Sequence, residues 1–74
     1  MDKIKEVVVV EGKHDEALLK SIYDVRCILT NGSHLGKNVL DMIGKYVNDP
    51  GVIVFTDPDS VGENIRKRIM DVYP

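Results

Sequence analysis

The sequence predicts an α/β fold with three layers, in which a small parallel sheet lies between helices on both of its faces. Three short apolar runs rich in β-branched residues alternate along the chain with three segments whose apolar residues recur at helical spacing. Strands that alternate with helices favour right-handed crossovers and therefore a parallel sheet. We expect the element order βαβαβα within one domain, residues 1–74.

The first half of the chain supplies two strands and one helix. A Val-rich run predicts the first strand over residues 6–10, and apolar residues at helical spacing predict the first helix over residues 14–23. The second strand is predicted over residues 25–30. It is followed at residues 31–33 by Asn-Gly-Ser, a combination that favours a turn with positive φ.

The second half supplies two helices and one strand. A helix is predicted over residues 37–47, and four apolar residues at 52–55 predict a third strand that is buried on both faces. Ser60 and Glu63 have the spacing of a capping box, which predicts that the third helix begins there and runs to about residue 73. Asp59 is the alternative cap for this helix.

Composition excludes several classes of protein. Hydrophobic residues make up 43% of the chain, which is ordinary for a globular domain, and no apolar run approaches the roughly 20 residues needed to span a bilayer. The start of the chain lacks the apolar region of a signal peptide, so we expect a cytoplasmic protein with no membrane partner. The formal net charge of −2 argues against a strong general attraction to nucleic acid. Cys27, the single cysteine, lies in an apolar run and is expected to be a buried hydrophobic residue.

Acidic residues follow two of the predicted strands. Glu11 comes after the first strand, and Asp57 and Asp59 come after the third, separated by Pro58. In a 2-1-3 strand order the two strand ends lie about 4.8 Å apart, close enough for carboxylates to share one cation or its water shell. Hard oxygen ligands favour Mg²⁺, with Mn²⁺ as the alternative, and they favour phosphoryl transfer or phosphodiester cleavage as the chemistry. Each acid also has a plainer interpretation, as a residue that closes a strand or forms a turn.

Four further residues are candidates for contacts with phosphate or RNA. Lys13 lies beside Glu11, where it would contact phosphate or neutralise the acids. Gly32 and Ser33 precede the second helix, where backbone N–H groups can cradle phosphate, although a plain turn explains them as well. Arg66 lies one helical turn after Gly62 and would face the acids, with a solvated basic face as the alternative.

These residues together resemble the Toprim domain, a metal-binding module shared by bacterial primases, topoisomerases, recombination mediators and a group of nucleases. The resemblance implies a Toprim/Rossmann-like fold and a magnesium-dependent catalytic site. In that site Glu11 is the general acid or base, and Asp57 and Asp59 hold the metal. The matching stretches are Val8-Val9-Val10-Glu11-Gly12-Lys13, Gly32 and Thr56-Asp57-Pro58-Asp59.

Within the Toprim family, four stretches are most similar to those of endonucleases that mature 5S ribosomal RNA. They are Glu11-Gly12-Lys13-His14-Asp15, Thr30-Asn31-Gly32-Ser33, Gly51-Val52-Ile53-Val54-Phe55-Thr56-Asp57-Pro58-Asp59 and Gly62-Glu63-Asn64-Ile65-Arg66-Lys67. This similarity implies that the substrate is precursor 5S rRNA or another structured RNA. A ribosomal protein bound to that RNA is a further candidate partner.

Two departures from the Toprim pattern matter. His14 stands where close members of this group often carry an acid, which leaves the role of the neighbouring Asp15 open. Toprim folds also have a fourth strand after the third helix, which is missing here. We therefore expect this chain to be the N-terminal part of a longer protein, with an open edge on its third strand.

Other functions remain alternatives to an endoribonuclease. A non-catalytic Toprim-like module would bind metal or nucleic acid and recruit a partner, as recombination mediators do, and a primase-like or topoisomerase-like enzyme would use the same acids. A receiver domain that accepts a phosphoryl group also has an aspartate after its third strand. Receivers carry an acidic pair after the first strand, however, where this chain has Glu11-Gly12-Lys13.

Overall fold

Three strands and three helices alternate along the part of the chain that the structure describes, as the sequence predicts. A computed structural model describes residues 1–31 and 35–74. No helix in these ranges has the length and apolar character that crossing a membrane requires. The elements are β1 (Asp2–Val10), α1 (Lys13–Ile22), β2 (Tyr23–Leu29), α2 (Lys37–Tyr46), β3 (Val52–Val54) and α3 (Ser60–Val72).

The described strands form a parallel sheet in the order β2-β1-β3, which confirms the predicted 2-1-3 arrangement. β1 lies in the centre, where it pairs with a neighbour along both edges. The four consecutive valines at residues 7–10 are all buried, because helices cover both faces of this central strand. This placement fixes the direction and the end point of β1, from which Glu11 leaves the sheet.

The core consists of one apolar layer on each face of the sheet. The larger layer packs under α2 and α3, and the smaller layer packs under α1, so the fold has the three layers that the alternation of elements predicts. The buried residues of the larger layer are Val7, Val9, Ile28, Leu35, Ile43, Ile65 and Ile69, and those of the smaller layer are Val8, Val10 and Val25.

The prediction that the third strand is buried on both faces is wrong. Val52 and Val54 pack against the larger core layer, but Ile53 is 43% exposed and Phe55, directly after β3, is 50% exposed. β3 lies at the edge of the described sheet, and α1 packs over β1 and β2 instead. The uninterrupted apolar run therefore reflects the β-propensity of these residues. It does not determine their burial, which depends on the position of the strand in the sheet.

The boundaries of β1 and α1 also differ from the prediction. β1 begins at Asp2, with an irregularity in its pairing with β2 between Lys3 and Val7. α1 begins at Lys13, directly after its N-cap Gly12, and it ends at Ile22 with no loop before β2. Tyr23 makes this junction possible, because its backbone is extended while its N–H still donates to the carbonyl of Leu19.

A tyrosine after the end of α3 connects this helix to α2. The hydroxyl of Tyr73 donates to the carbonyl oxygen of Leu40 at 3.0 Å. Its ring occupies the space that a side chain at Gly44 would need. A glycine inside a helix costs about 1 kcal/mol of propensity, and here it allows α3 to pack closely against α2.

Cys27 on β2 is half-buried, against the smaller core layer. Burial raises the pKa of the Cys27 thiol, and the negative charge of Glu16 raises it further, whereas the positive charge of Lys20 lowers it. Glu16 and Lys20 form an ion pair at 3.3 Å on α1. The thiol is therefore held in its protonated, weakly nucleophilic form.

We expect iodoacetamide to alkylate Cys27 more slowly at pH 8 in the folded protein than in urea, because only the thiolate reacts and the raised pKa reduces its population. Glu16→Gln removes one cause of the raised pKa, so it should move the pH midpoint of alkylation downward in the folded protein. By linkage, the protonated thiol's contribution to stability is fully present below the pKa of the unfolded chain and is lost as the pH rises through the raised pKa of the folded protein. If the pH midpoint of alkylation were the same in the folded and the unfolded chain, the raised pKa of Cys27 would be contradicted.

Candidate functional site

The ends of β1 and β3 bring two acidic segments to the same edge of the sheet. The pairing continues past the last residue of β3, because the N–H of Phe55 donates to the carbonyl of Val9 at 2.8 Å. Glu11 then follows β1, and the acid loop, residues 55–59, joins β3 to α3. Both segments leave the C-terminal edge of the parallel sheet, where ligands bind in folds of this class.

A hydrogen bond joins the two segments. The backbone N–H of Asp57 donates to Oε2 of Glu11 at 2.8 Å. A charged acceptor makes such a bond stronger than one between neutral groups. This arrangement agrees with the prediction that Glu11 and Asp57 end side by side. The bond also fixes the position of the Glu11 carboxylate relative to the acid loop.

Asp59 caps α3, so the capping box predicted from Ser60 and Glu63 is not the cap that forms. Oδ1 of Asp59 accepts a hydrogen bond from the N–H of Gly62 at 2.8 Å, and Ser60 is the first residue of the helix. An aspartate cap satisfies a free N–H and places negative charge at the positive end of the helix dipole. One oxygen of Asp59 is thus used to anchor the acid loop to α3.

Gly62 is a site residue whose role the sequence did not indicate. It is buried in the first turn of α3, and a Cβ atom added there would overlap the carbonyl oxygen of Asp57 and lie 3.1 Å from its nitrogen. Only glycine allows the loop backbone to lie this close to the helix. The available signal was its place in the Gly62-Glu63-Asn64 stretch, five positions after Asp57.

Arg66 faces the acid loop from α3, as its helical position predicted. Its Nη1 donates to Oγ1 of Thr56 at 2.6 Å and makes longer contacts, 3.4 and 3.5 Å, with the carbonyl oxygens of Thr56 and Asp57. Thr56 in turn donates to the carbonyl of Gly62 at 3.2 Å. The predicted contact of Arg66 with RNA phosphate stays a prediction, because these bonds are all made within the protein.

The other predicted phosphate contacts lie near the same edge or outside the described residues. Lys13 is exposed at the start of α1, two residues after Glu11, and its contact with phosphate stays a prediction. Asn31 has a φ of 58°, which agrees with the expected turn of positive φ. Gly32 and Ser33, the proposed phosphate cradle, lie outside the described residues.

The chemistry of the donor set fits a hard divalent cation. Glu11, Asp57 and Asp59 offer carboxylate oxygens at one edge of the sheet, and the side chain of Asp57 is exposed. Within residues 1–31 and 35–74, no three side chains of His, Cys, Asp or Glu converge closely enough to hold a metal ion by themselves. Mg²⁺ does not need such a cage, because it commonly keeps several waters and uses one or two carboxylates together with substrate phosphate. Joint coordination by all three acids stays a prediction.

Comparison with known proteins confirms the resemblance to the Toprim domain. Residues 6–73 match the Toprim domain family. The chain is similar to ribonuclease M5 of Mycoplasma mycoides subsp. mycoides, with 51% identity over 73 residues that cover 96% of this chain and 41% of the relative. It is also similar to ribonuclease M5 of Bacillus anthracis (49% over 72 residues; 97% of this chain and 39% of the relative) and of Bacillus subtilis (47% over 72 residues; 97% and 39%). The chain thus spans about two fifths of the length of these curated relatives.

The close approach at Gly62 makes a direct prediction. We expect Gly62→Ala to lower the free energy of unfolding by about 1–3 kcal/mol, because the added methyl group overlaps the Asp57 carbonyl and pushes the loop away from α3. The measurement is a urea unfolding curve. Gly36→Ala is the matched control, since Gly36 also lies at a helix N-terminus but a Cβ there meets none of the described side chains or backbone atoms within 4 Å. It should cost less than about 1 kcal/mol, and equal losses in both variants would contradict the close packing.

Proposed function

Because the chain belongs to the Toprim family, we propose that it is the catalytic module of a Mg²⁺-dependent endoribonuclease that cleaves precursor 5S ribosomal RNA or another structured RNA. The observation that carries the proposal is the hydrogen bond from the N–H of Asp57 to Glu11. It supports a single site in which a carboxylate placed for proton transfer lies beside a carboxylate placed for metal binding. The similarity to proteins named ribonuclease M5 supports RNA as the substrate.

Toprim domains generally bind divalent metal ions. We propose Mg²⁺ as the natural ion and Mn²⁺ as a substitute, because the donors are carboxylate oxygens. Asp57 and Asp59 would hold the ion, with Glu11 next to them. When bound, the ion supplies positive charge that stabilises the phosphate during cleavage.

Glu11 is the residue that we assign to proton transfer. Among the described residues, the hydrogen bond from Asp57 engages only Oε2 of its carboxylate. Oε1 is therefore the oxygen that would exchange a proton with the attacking water or with the leaving oxygen of the RNA. The bond to Asp57 orients the carboxylate, so that less conformational entropy is lost when the reacting groups meet.

RNA binding would depend on local groups, since the chain carries a formal net charge of −2. We propose that Lys13 and the backbone near Gly32 and Ser33 contact phosphate, with Arg66 as a further candidate. A duplex RNA is recognised by its shape over a wide surface, so parts of a longer protein and a ribosomal protein on the RNA are candidate contributors. The proposed location of this reaction is the cytoplasm.

Asp57→Asn in the intact protein tests the metal role. We expect it to lower kcat for cleavage of precursor 5S rRNA by at least about 100-fold at saturating Mg²⁺, because the substitution removes a charged ligand and leaves the backbone bond to Glu11 possible. Gel-based cleavage kinetics measure the effect. Asp24→Asn is the control, because Asp24 lies at the opposite end of the sheet, paired with Lys3, and should leave kcat within about twofold. An unchanged kcat in Asp57→Asn would sink this mechanism.

Removal of divalent ions provides a second test. We expect EDTA to stop cleavage and added Mg²⁺ or Mn²⁺ to restore it, because the acids need a hard cation to balance their charge beside an RNA phosphate. Cleavage that continues in EDTA would contradict the proposal. If the intact protein binds Mn²⁺ but never cuts RNA, the non-catalytic Toprim-like module that recruits a partner becomes the better explanation.

A further inference from the structure

We propose that Thr56 and Arg66 are positioning residues, which hold the acid loop against α3 at the place where the N–H of Asp57 reaches Glu11. Neither residue is needed as a metal ligand or as a proton carrier in the proposed function. Thr56 nevertheless bonds from the acid loop to α3, and Arg66 bonds from α3 to the acid loop. Their role is therefore to set the geometry of the site.

The hydroxyl of Thr56 acts both as a donor and as an acceptor of hydrogen bonds. It donates its hydrogen to the carbonyl of Gly62 at 3.2 Å, and it accepts from Nη1 of Arg66 at 2.6 Å. Gly62 and Arg66 lie one turn apart on α3, so one hydroxyl is bound to two successive turns of the helix. A valine of nearly the same shape would lose both bonds, whereas a serine would keep both.

Arg66 links α3 to the loop through a single nitrogen. Nη1 makes the short bond to the Thr56 hydroxyl and the two longer contacts with loop carbonyls, and the side chain is half-buried. The hydrogens of Nη1 are held in the plane of the guanidinium group, which fixes the direction of these bonds, whereas the ammonium of lysine rotates freely on a flexible stem. A residue whose only task was to attract RNA would be expected to keep this nitrogen in solvent.

The anchors lie next to the bond that joins Asp57 to Glu11. Thr56 directly precedes Asp57, Gly62 packs on the Asp57 carbonyl, and Asp59 is bound to the N–H of Gly62 at 2.8 Å. Contacts therefore hold the acid loop at three places, which are Thr56 before Asp57, the carbonyl of Asp57, and Asp59 after it. Movement of Thr56 would carry the N–H of Asp57 away from Glu11.

The effect of Thr56 and Arg66 on catalysis rests on the proposed function, whereas their effect on the geometry of the acid loop does not depend on it. Hydrogen exchange of individual backbone amides, measured by NMR on the intact protein without metal, reports the geometry directly. In Thr56→Val we expect the Asp57 amide to exchange about tenfold faster or more, because the bond to Glu11 opens more often. The amide of Val9, in the centre of the sheet, should keep its protection. Thr56→Ser should restore the protection of Asp57.

Two outcomes of the exchange experiment would overturn the inference. One is unchanged Asp57 protection in Thr56→Val. The other is equal loss of protection at Asp57 and Val9, which would show general destabilisation. Glu11→Gln calibrates the measurement, since it replaces the charged acceptor of the Asp57 bond and should speed exchange at Asp57 more than at Gly62.

Arg66→Lys separates positioning from attraction to RNA, because it keeps the positive charge but not the planar group. If Arg66 is a positioning residue, the variant should bind Mn²⁺ about tenfold more weakly, as measured by electron paramagnetic resonance without RNA. Unchanged Mn²⁺ affinity with a raised KM would overturn the inference and favour a phosphate contact. Because the Mn²⁺ measurement needs no RNA, an intact protein that does not cleave RNA would refute the proposed function alone.

Discussion

The burial of the central strand is the constraint on which the rest of the structure depends. β1 pairs on both edges and is covered on both faces, so its four valines at residues 7–10 cannot shift along the sheet without exposing apolar surface or breaking two ladders of hydrogen bonds. Glu11 follows β1 immediately, so the position of this strand determines the position of Glu11. β3 then needs only a short pairing with β1 to bring Asp57 to the same edge.

The acid loop combines structural contacts with the candidate metal ligands in the same residues. Asp59 caps α3 and is also a candidate metal ligand, while the backbone of Asp57 orients Glu11 and its side chain stays exposed. Most residues of the acid loop are exposed, so packing alone does not fix the position of this loop. Hydrogen bonds and the close approach at Gly62 fix the loop instead.

The exposed face of β3 follows from the distribution of helices. α2 and α3 share one face of the sheet, and α1 alone covers part of the other. Ile53 and Phe55 consequently present apolar surface beside an edge of the described sheet. Such an edge favours association with another strand, and it lies next to the acid loop.

The sequence by itself determined the order of elements, the parallel sheet and the approximate place of the acids. These follow from local patterns, since β-branched runs, helical spacing and turn residues are properties of neighbouring positions, and the topology of alternating strands and helices restricts the rest. The motifs around Glu11 and Asp57 carried the resemblance to the Toprim domain for the same reason. These motifs are short, and they occur along the chain in the same order as in the Toprim domain.

Only the tertiary structure decided how much of β3 is covered, which residue caps α3 and what Gly62 and Arg66 contact. Ser60 and Asp59 are both good caps, and the choice between them depends on where the preceding loop is held by Thr56 and Glu11. Gly62 is indistinguishable from an ordinary glycine until Asp57 is packed against it. Such outcomes depend on contacts between residues brought together by the fold, and a local pattern along the chain contains no information about those distances.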